Sequence, residues 1–165
     1  MVRVLFVCLG NICRSPICQG LFEEEVRRAG MSGEIAADSA GTHGFYHAGE
    51  MPDPRAQESV RRRGIDISAQ RVRLLEREDC ERFDYVLTMD DQNYERVVAL
   101  CRGAGTKTVV RPFLDFAPDR PEREVSDPYG GGPEGFELAM DLAEAASEGL
   151  LKDIQERHLR MRHGR

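Results

Sequence analysis

No stretch of this chain approaches the ~20 consecutive apolar residues that a membrane-spanning helix needs, so no membrane insertion is expected. A signal-peptide pattern is missing as well: Arg3 is followed by a short β-prone run and a polar loop, with no apolar h-region. There is no excess of positive charge. The 165 residues carry a formal net charge of −6, which disfavours non-specific binding of nucleic acid. Internal repeats, low-complexity tracts and linkers are absent, so a single domain over 1–165 is expected, with 159–165 as a frayed tail. Metal-ligand spacing is poor. No C-x2-C pair occurs, and His43 and His47 lie four apart in a glycine-containing loop rather than on one helix face. Five cysteines cannot all pair within one chain. With no secretory signal, they are expected as reduced thiols in the cytoplasm. Cys18, Cys80 and Cys101 have no partner spacing and are expected to fill the core.

What the chain does have stands at its start. The apolar run Val4–Val7 delivers Cys8-Leu9-Gly10-Asn11-Ile12-Cys13-Arg14-Ser15-Pro16, that is, strand, cysteine, short loop, arginine and a Ser-Pro pair that opens a helix. A loop of this kind turns successive backbone N–H groups inward at a helix N-terminus and cradles an anion. Cys8 at its floor is placed as a nucleophile, and Arg14 can hold two phosphate oxygens side by side. The pattern points to a phosphatase active site. Because the overall charge repels a phosphorylated substrate, attraction must come from the loop itself.

The rest of the chain alternates strands and helices. Val2–Val7, Ile35–Ser39, Tyr85–Met89 and Thr108–Arg111 read as strands, the first apolar enough to be buried on both faces. Helices are expected from near Pro16 to before Gly30, over Pro52–Gly64, over Asp90–Cys101, and from Pro133 to about His158. The alternation predicts an α/β fold: a single-domain, three-layer sandwich whose twisted, four-stranded parallel sheet has helices on both faces. Ligands bind at the carboxyl ends of such strands, where Cys8 lies. Phe113–Pro133 is the one long segment read as irregular, and a loop of that length is usually functional.

The loop nonapeptide, followed far downstream by Asp127-Pro128-Tyr129, closely resembles the low-molecular-weight protein tyrosine phosphatases. Asp38-Ser39-Ala40-Gly41-Thr42, Pro52-Asp53-Pro54-Arg55-Ala56, Phe83-Asp84-Tyr85-Val86 and Met89-Asp90 extend the likeness over nearly the whole chain. The resemblance implies hydrolysis of phosphotyrosine in proteins through a cysteinyl-phosphate intermediate, with no metal or other cofactor. Cys8 would be the nucleophile, Arg14 the phosphate clamp, and Asp127 the acid that protonates the leaving oxygen and then takes a proton from water. Asp119, Glu122 and Glu124 are the other acids of that segment. Leu9, Gly10, Asn11, Ile12 and Cys13 would form the loop, with Ser15 donating to the cysteine sulfur and Asn11 bracing the loop together with Ser39. Cys13 would be the redox partner of Cys8. Tyr46 and Tyr129 would wall the substrate cleft, selecting the longer phosphotyrosine. Tyrosine kinases are among the family's phosphoprotein substrates.

The chain departs from the family at Gly130-Gly131-Gly132, where many members carry a second aromatic, and at Tyr46, where a Trp is usual. It departs again at Gln70, where many carry a His linked to an Asp matching Asp90. The same fold supports rival activities. A thioredoxin-coupled arsenate reductase needs two closely spaced downstream cysteines, and Cys80 stands without one. Phosphoarginine phosphatases tend to have Thr where this chain has Ile12. An inactive phosphate-binding module would need neither Cys8 nor Asp127. His158 and His163 are read as a solvated basic tail, and Arg61-Arg62-Arg63 as a solvated helix end.

Overall fold

The computed structural model describes residues 1–43, 46–105, 107–128 and 131–159. Its centre is β1 (Val2–Cys8), whose alternate side chains enter two different cores. Val4, Phe6 and Cys8 join a large cluster on one face, Leu5 and Val7 a smaller one on the other. Burial on both faces accounts for the unbroken apolar run. β2 (Ile35–Gly41), β3 (Tyr85–Thr88) and β4 (Val109–Pro112) complete a parallel sheet of order β2-β1-β3-β4. On the larger core lie α1 (Arg14–Arg28) and α5 (Pro133–Ile154), with α2 (Pro54–Arg61) against both. The other face is covered by α4 (Asp91–Cys101), which buries Val97 on Leu5, Val7 and Val86. In register, Cys8 lies beside Gly41, Val7 beside Thr88, and Thr88 beside Pro112, so the carboxyl ends of the strands form one shelf.

Several expectations need correction. Cys80 and Cys101 are not separate core-filling thiols; they form a disulfide, with Cα atoms 5.4 Å apart. The reason is topological. The short helix α3 (Asp79–Arg82) precedes β3, and α4 runs back from the end of β3, so its last residue returns beside α3. Thr108, at the entry to β4, donates its hydroxyl to Cys80 O, which fixes the bridge at the edge of the sheet away from Cys8. Cys8, Cys13 and Cys18 are free.

Arg63 is not a solvated helix end. Its guanidinium reaches Glu137, Asp141 and Glu144 on α5 at 3.1, 2.9 and 2.6 Å and ties the exit of α2 to that helix. The segment read as irregular opens on a 3-10 turn, Phe113–Phe116, because Phe113 seats edge-on against Phe6, 5.0 Å between ring centres. Leu159 and His158 do not belong to a solvated or frayed tail. Leu159 is buried and His158 packs edge-on against Tyr85, in a π-helical turn that extends α5. Residues 160–165, His163 among them, lie outside the described residues.

Candidate active site

Residues 8–16 connect β1 to α1, and their conformation follows from Asn11. Its φ of +59° is the only positive value among the described non-glycine residues, in the left-handed region that Asn tolerates best. That conformation turns the Asn11 N–H onto Cys8 Sγ at 3.2 Å. The Asn11 side chain then uses every polar atom it has. Nδ2 donates to Ser15 Oγ and Ser39 Oγ, both at 2.9 Å, and Oδ1 accepts from Arg73 N–H at 2.9 Å. Ser15 Oγ accepts from Asn11 and lies 3.0 Å from Cys8 Sγ, where its own proton can point at a thiolate. The sulfur therefore meets two donors, an arrangement suited to a thiolate.

Gly41 is required beside this loop. A Cβ there would stand 2.8 Å from Leu9 O and 3.0 Å from Asn11 N. Helix α1 begins at Arg14 with no side-chain cap on its first turn, so its leading N–H groups face the loop.

Arg14 is 4% exposed and is held along one edge. Nη1 donates to Asp90 Oδ2 at 2.6 Å and to Val125 O at 3.1 Å. Burial works against its charge, but Cys8, then Asp90 and Asp127, outweigh it and raise the guanidinium above its ordinary value. Nε and Nη2 make no hydrogen bond among the described residues, which leaves that edge of the fork for two oxygens of a phosphate. Asp90 does two jobs: Oδ2 takes Arg14, and Oδ1 caps α4 by accepting from Asn93 N–H at 2.8 Å.

The acid-bearing segment is fastened to the same place. Val125 N–H donates to Met89 O, and Glu124 accepts from Asp91 N–H, both at 2.8 Å. Two residues on, the Asp127 carboxylate lies 3.8 Å from Arg14 Nη2 and is about half exposed. Asp127 lines a cleft of about 280 Å³ with Cys8, Leu9, Gly10, Ile12 and Tyr46. The other acids of the segment turn elsewhere, Glu122 to Arg120 and Glu124 to the start of α4; Asp119 lines a separate surface hollow near α5.

The structure thus brings together Cys8, Leu9, Gly10, Asn11, Ile12, Cys13, Arg14, Ser15, Ser39, Tyr46 and Asp127. Tyr46 stands at the rim, 81% exposed. Tyr129 lies outside the described residues. Cys13 is a buried thiol pushed well above its ordinary range by burial first, then by Asp53, Cys8 and Asp127. Gln70 does not join Asp90; it donates to Pro16 O in the first turn of α1, at 3.2 Å.

One group escaped the sequence reading. Arg73 links its guanidinium to Asp38 at 3.1 Å and to the buried Asp79 at 3.0 Å, while its backbone N–H holds Asn11 and its carbonyl accepts from Gly41. Its contact with the loop is made by main chain, which leaves no trace in residue type. His43 and His47 have separate partners: Thr42 and Arg96 for the first, Glu50 for the second.

A parallel sheet that ends in a cysteine, an anion-cradling loop, a buried arginine and a carboxylate across the cleft together define a cysteine-dependent phosphatase. Comparison with known proteins narrows this. The family model for low molecular weight phosphotyrosine protein phosphatase matches residues 3–160, and the chain belongs to that family. The low molecular weight protein-tyrosine-phosphatase YfkJ of Bacillus subtilis is 38% identical over 156 residues, covering 94% of this chain and 97% of the relative. A low molecular weight phosphotyrosine protein phosphatase of Schizosaccharomyces pombe is 39% identical over 93% of this chain and 97% of its own. Among solved structures, a protein tyrosine phosphatase of Entamoeba histolytica with Hepes in its active site superposes with a TM-score of 0.89 at 33% identity, covering 94% of this chain and 98% of that one.

Proposed function

We propose that Cys8, Arg14 and Asp127 carry out the family's reaction here, hydrolysis of phosphotyrosine in proteins. The observation that supports this reading best is the setting of Cys8 Sγ. It takes hydrogen bonds from Asn11 and Ser15 at the floor of a cleft shared with Arg14 and Asp127. The sulfur attacks phosphorus in line with the departing phenol. Asp127 supplies the proton that the leaving oxygen needs. The open edge of Arg14 and the loop N–H groups take up charge on the equatorial oxygens. Asp127, now a carboxylate, deprotonates the water that cleaves the S–P bond and releases phosphate.

Tyr46 and Tyr129 are the proposed walls of the cleft, and a tyrosine kinase is one protein substrate that fits the reading. A cytoplasmic location belongs to the same proposal; no helix of the described residues is long and apolar enough to cross a membrane. In that compartment Cys80 and Cys101 would be held as thiols and pair on oxidation. Cys13 is proposed as the redox partner of Cys8. Peroxide converts Cys8 to the sulfenic acid, and the Cys13 thiol displaces water from it to give a disulfide that added thiol reduces.

The test is turnover of phosphotyrosine, phosphoserine and phosphoarginine peptides with chelator present, beside arsenate reduction with thioredoxin. Phosphotyrosine should win, and Cys8→Ser should abolish turnover while retaining oxyanion binding. Asp127→Ala should cost about 10²–10⁴-fold on aryl phosphates with poor leaving groups and far less on those with good ones. Preference for phosphoarginine or arsenate, residual turnover in Cys8→Ser, or equal losses across leaving groups would each overturn the corresponding assignment.

A further inference from the structure

A second groove, of about 360 Å³, adjoins the active-site cleft, and Leu9 and His43 line both. The boundary between them is the exposed side chain of Leu9, so a chain lying across the loop passes from one into the other. Thr42 and His43 are pinned to the loop, since Thr42 N–H donates to Cys8 O and His43 N–H to Leu9 O. The far wall is α4, capped by Asp90, the residue that grips Arg14. On that wall Arg96 donates from Nη2 to His43 Nε2. The ring therefore presents Nε2 as an acceptor and turns its Nδ1 proton to Thr42 Oγ1, 3.1 Å away. An imidazole carries no negative charge, so it orients the Arg96 fork without neutralising it. No carboxylate lies within ion-pair distance of Arg96 among the described residues, in a chain whose net charge is −6.

We propose that this groove is a substrate subsite in which Arg96 binds an acidic side chain close to the phosphotyrosine of a protein substrate. The proposal rests on the phosphatase reading and adds a determinant of which phosphotyrosines are taken. The guanidinium is held by His43, which is itself fixed to the phosphate loop, so less freedom is lost on pairing than for a loose surface arginine. Glu95 also lines the groove and narrows the position where an acid is accepted.

The experiment is kcat/KM on phosphotyrosine peptides carrying Glu, Gln or Lys at each of the neighbouring positions. The native chain should prefer Glu over Gln by about three- to fivefold at one position, as for a well-oriented exposed pair, and the preference should shrink at high salt. In Arg96→Ala the Glu:Gln ratio should fall to about one, and in Arg96→Glu the Lys peptide should become the best; Glu95→Gln should widen the native ratio. Equal use of Glu and Gln peptides by the native chain, or a ratio that survives Arg96→Ala, overturns the subsite. Turnover of the Gln peptide by the native chain reads the phosphatase reaction separately, so failure of that reaction and failure of the subsite give different results.

Discussion

Asn11 holds together four parts of the site through one left-handed residue. Its N–H reaches the nucleophile, its amide nitrogen reaches serines on α1 and β2, and its amide oxygen reaches the main chain at Arg73. The direction of the protons matters as well as the contacts: Ser15 Oγ accepts from Asn11, which leaves the Ser15 proton available to a thiolate at Cys8. Asn11→Asp keeps the shape and the acceptor for Arg73, but it turns the donor facing Ser15 into an acceptor. The serine proton would then be drawn to the carboxylate and a negative charge would face the sulfur. A hydrogen bond to a charged group is worth about 1.5–3 kcal/mol, so kcat should fall about 10–100-fold. Because Asn11 is buried, the change lowers thermal stability as well, so kcat is read well below the melting temperature of the variant. Unchanged kcat would remove Ser15 from the support of the nucleophile.

A second residue makes a pH prediction. Tyr85 is buried and donates to Asp153 at 2.8 Å. Burial first, then this bond, raise its hydroxyl above the usual tyrosine value. A group raised in the folded state contributes stability that is complete below its unfolded pKa, about 10, and that is lost as pH climbs towards the folded value. Tyr85→Phe should cost about 1 kcal/mol at neutral pH and should flatten the loss of stability above about pH 10 in urea titrations.

Among the connections between elements, the irregular segment between α2 and α3 ties the loop to the sheet. Leu74 pairs with Gly41 as an isolated parallel bridge, and Arg73 beside it spans Asp38 on β2 and Asp79 at the start of α3. Asp79 is 1% exposed, whereas Arg73 is 31% exposed. Breaking a fully buried pair costs about 3–5 kcal/mol; allowing for the exposure of Arg73, Arg73→Met should cost about 2–3 kcal/mol of unfolding free energy. Adding Asp79→Asn, which keeps an acceptor for Glu76 N–H, should restore at least half of it. A double variant as unstable as Arg73→Met alone would place the loss elsewhere.

This connection was invisible in the sequence, for a physical reason. β1 shows itself as an unbroken apolar run buried on both faces, α1, α4 and α5 because one-sided burial leaves a periodic apolar pattern, and the loop because its residue types are tied to its chemistry. The hold of Arg73 on Asn11 uses a backbone N–H, common to nearly every residue. Short helix α3 and the 3-10 turn at Phe113 are fixed by tertiary packing and are too brief to carry a period. The Cys80–Cys101 bond, 21 residues apart, depends on α4 running back across the sheet, and spacing alone could not reveal that.

In the whole molecule, chemistry and covalent reinforcement occupy opposite edges of the sheet. Cys8 lies at the carboxyl ends of the strands, and the disulfide where β3 and β4 begin. Closing a loop of this length removes on the order of 3 kcal/mol of freedom from the unfolded chain. Cys80→Ala with Cys101→Ala should therefore lower stability by about that amount under oxidising conditions and make little difference under reducing ones. Phosphatase turnover at temperatures well below melting should be unaffected in either case; a large loss would show that the two edges communicate.

The bare first turn of α1 has a consequence at this scale. Most helices close their leading end with a residue of their own, whereas this one presents its amides, Arg14 and the loop to whatever oxyanion arrives. The product of the reaction is then also a structural part of the protein. Inorganic phosphate at tenfold its dissociation constant should add about 1.4 kcal/mol to the stability of the fold, while occupying the place that the next substrate needs. Protection and inhibition become one event, and in a phosphate-rich cell the enzyme would be at its most durable when it is least at work.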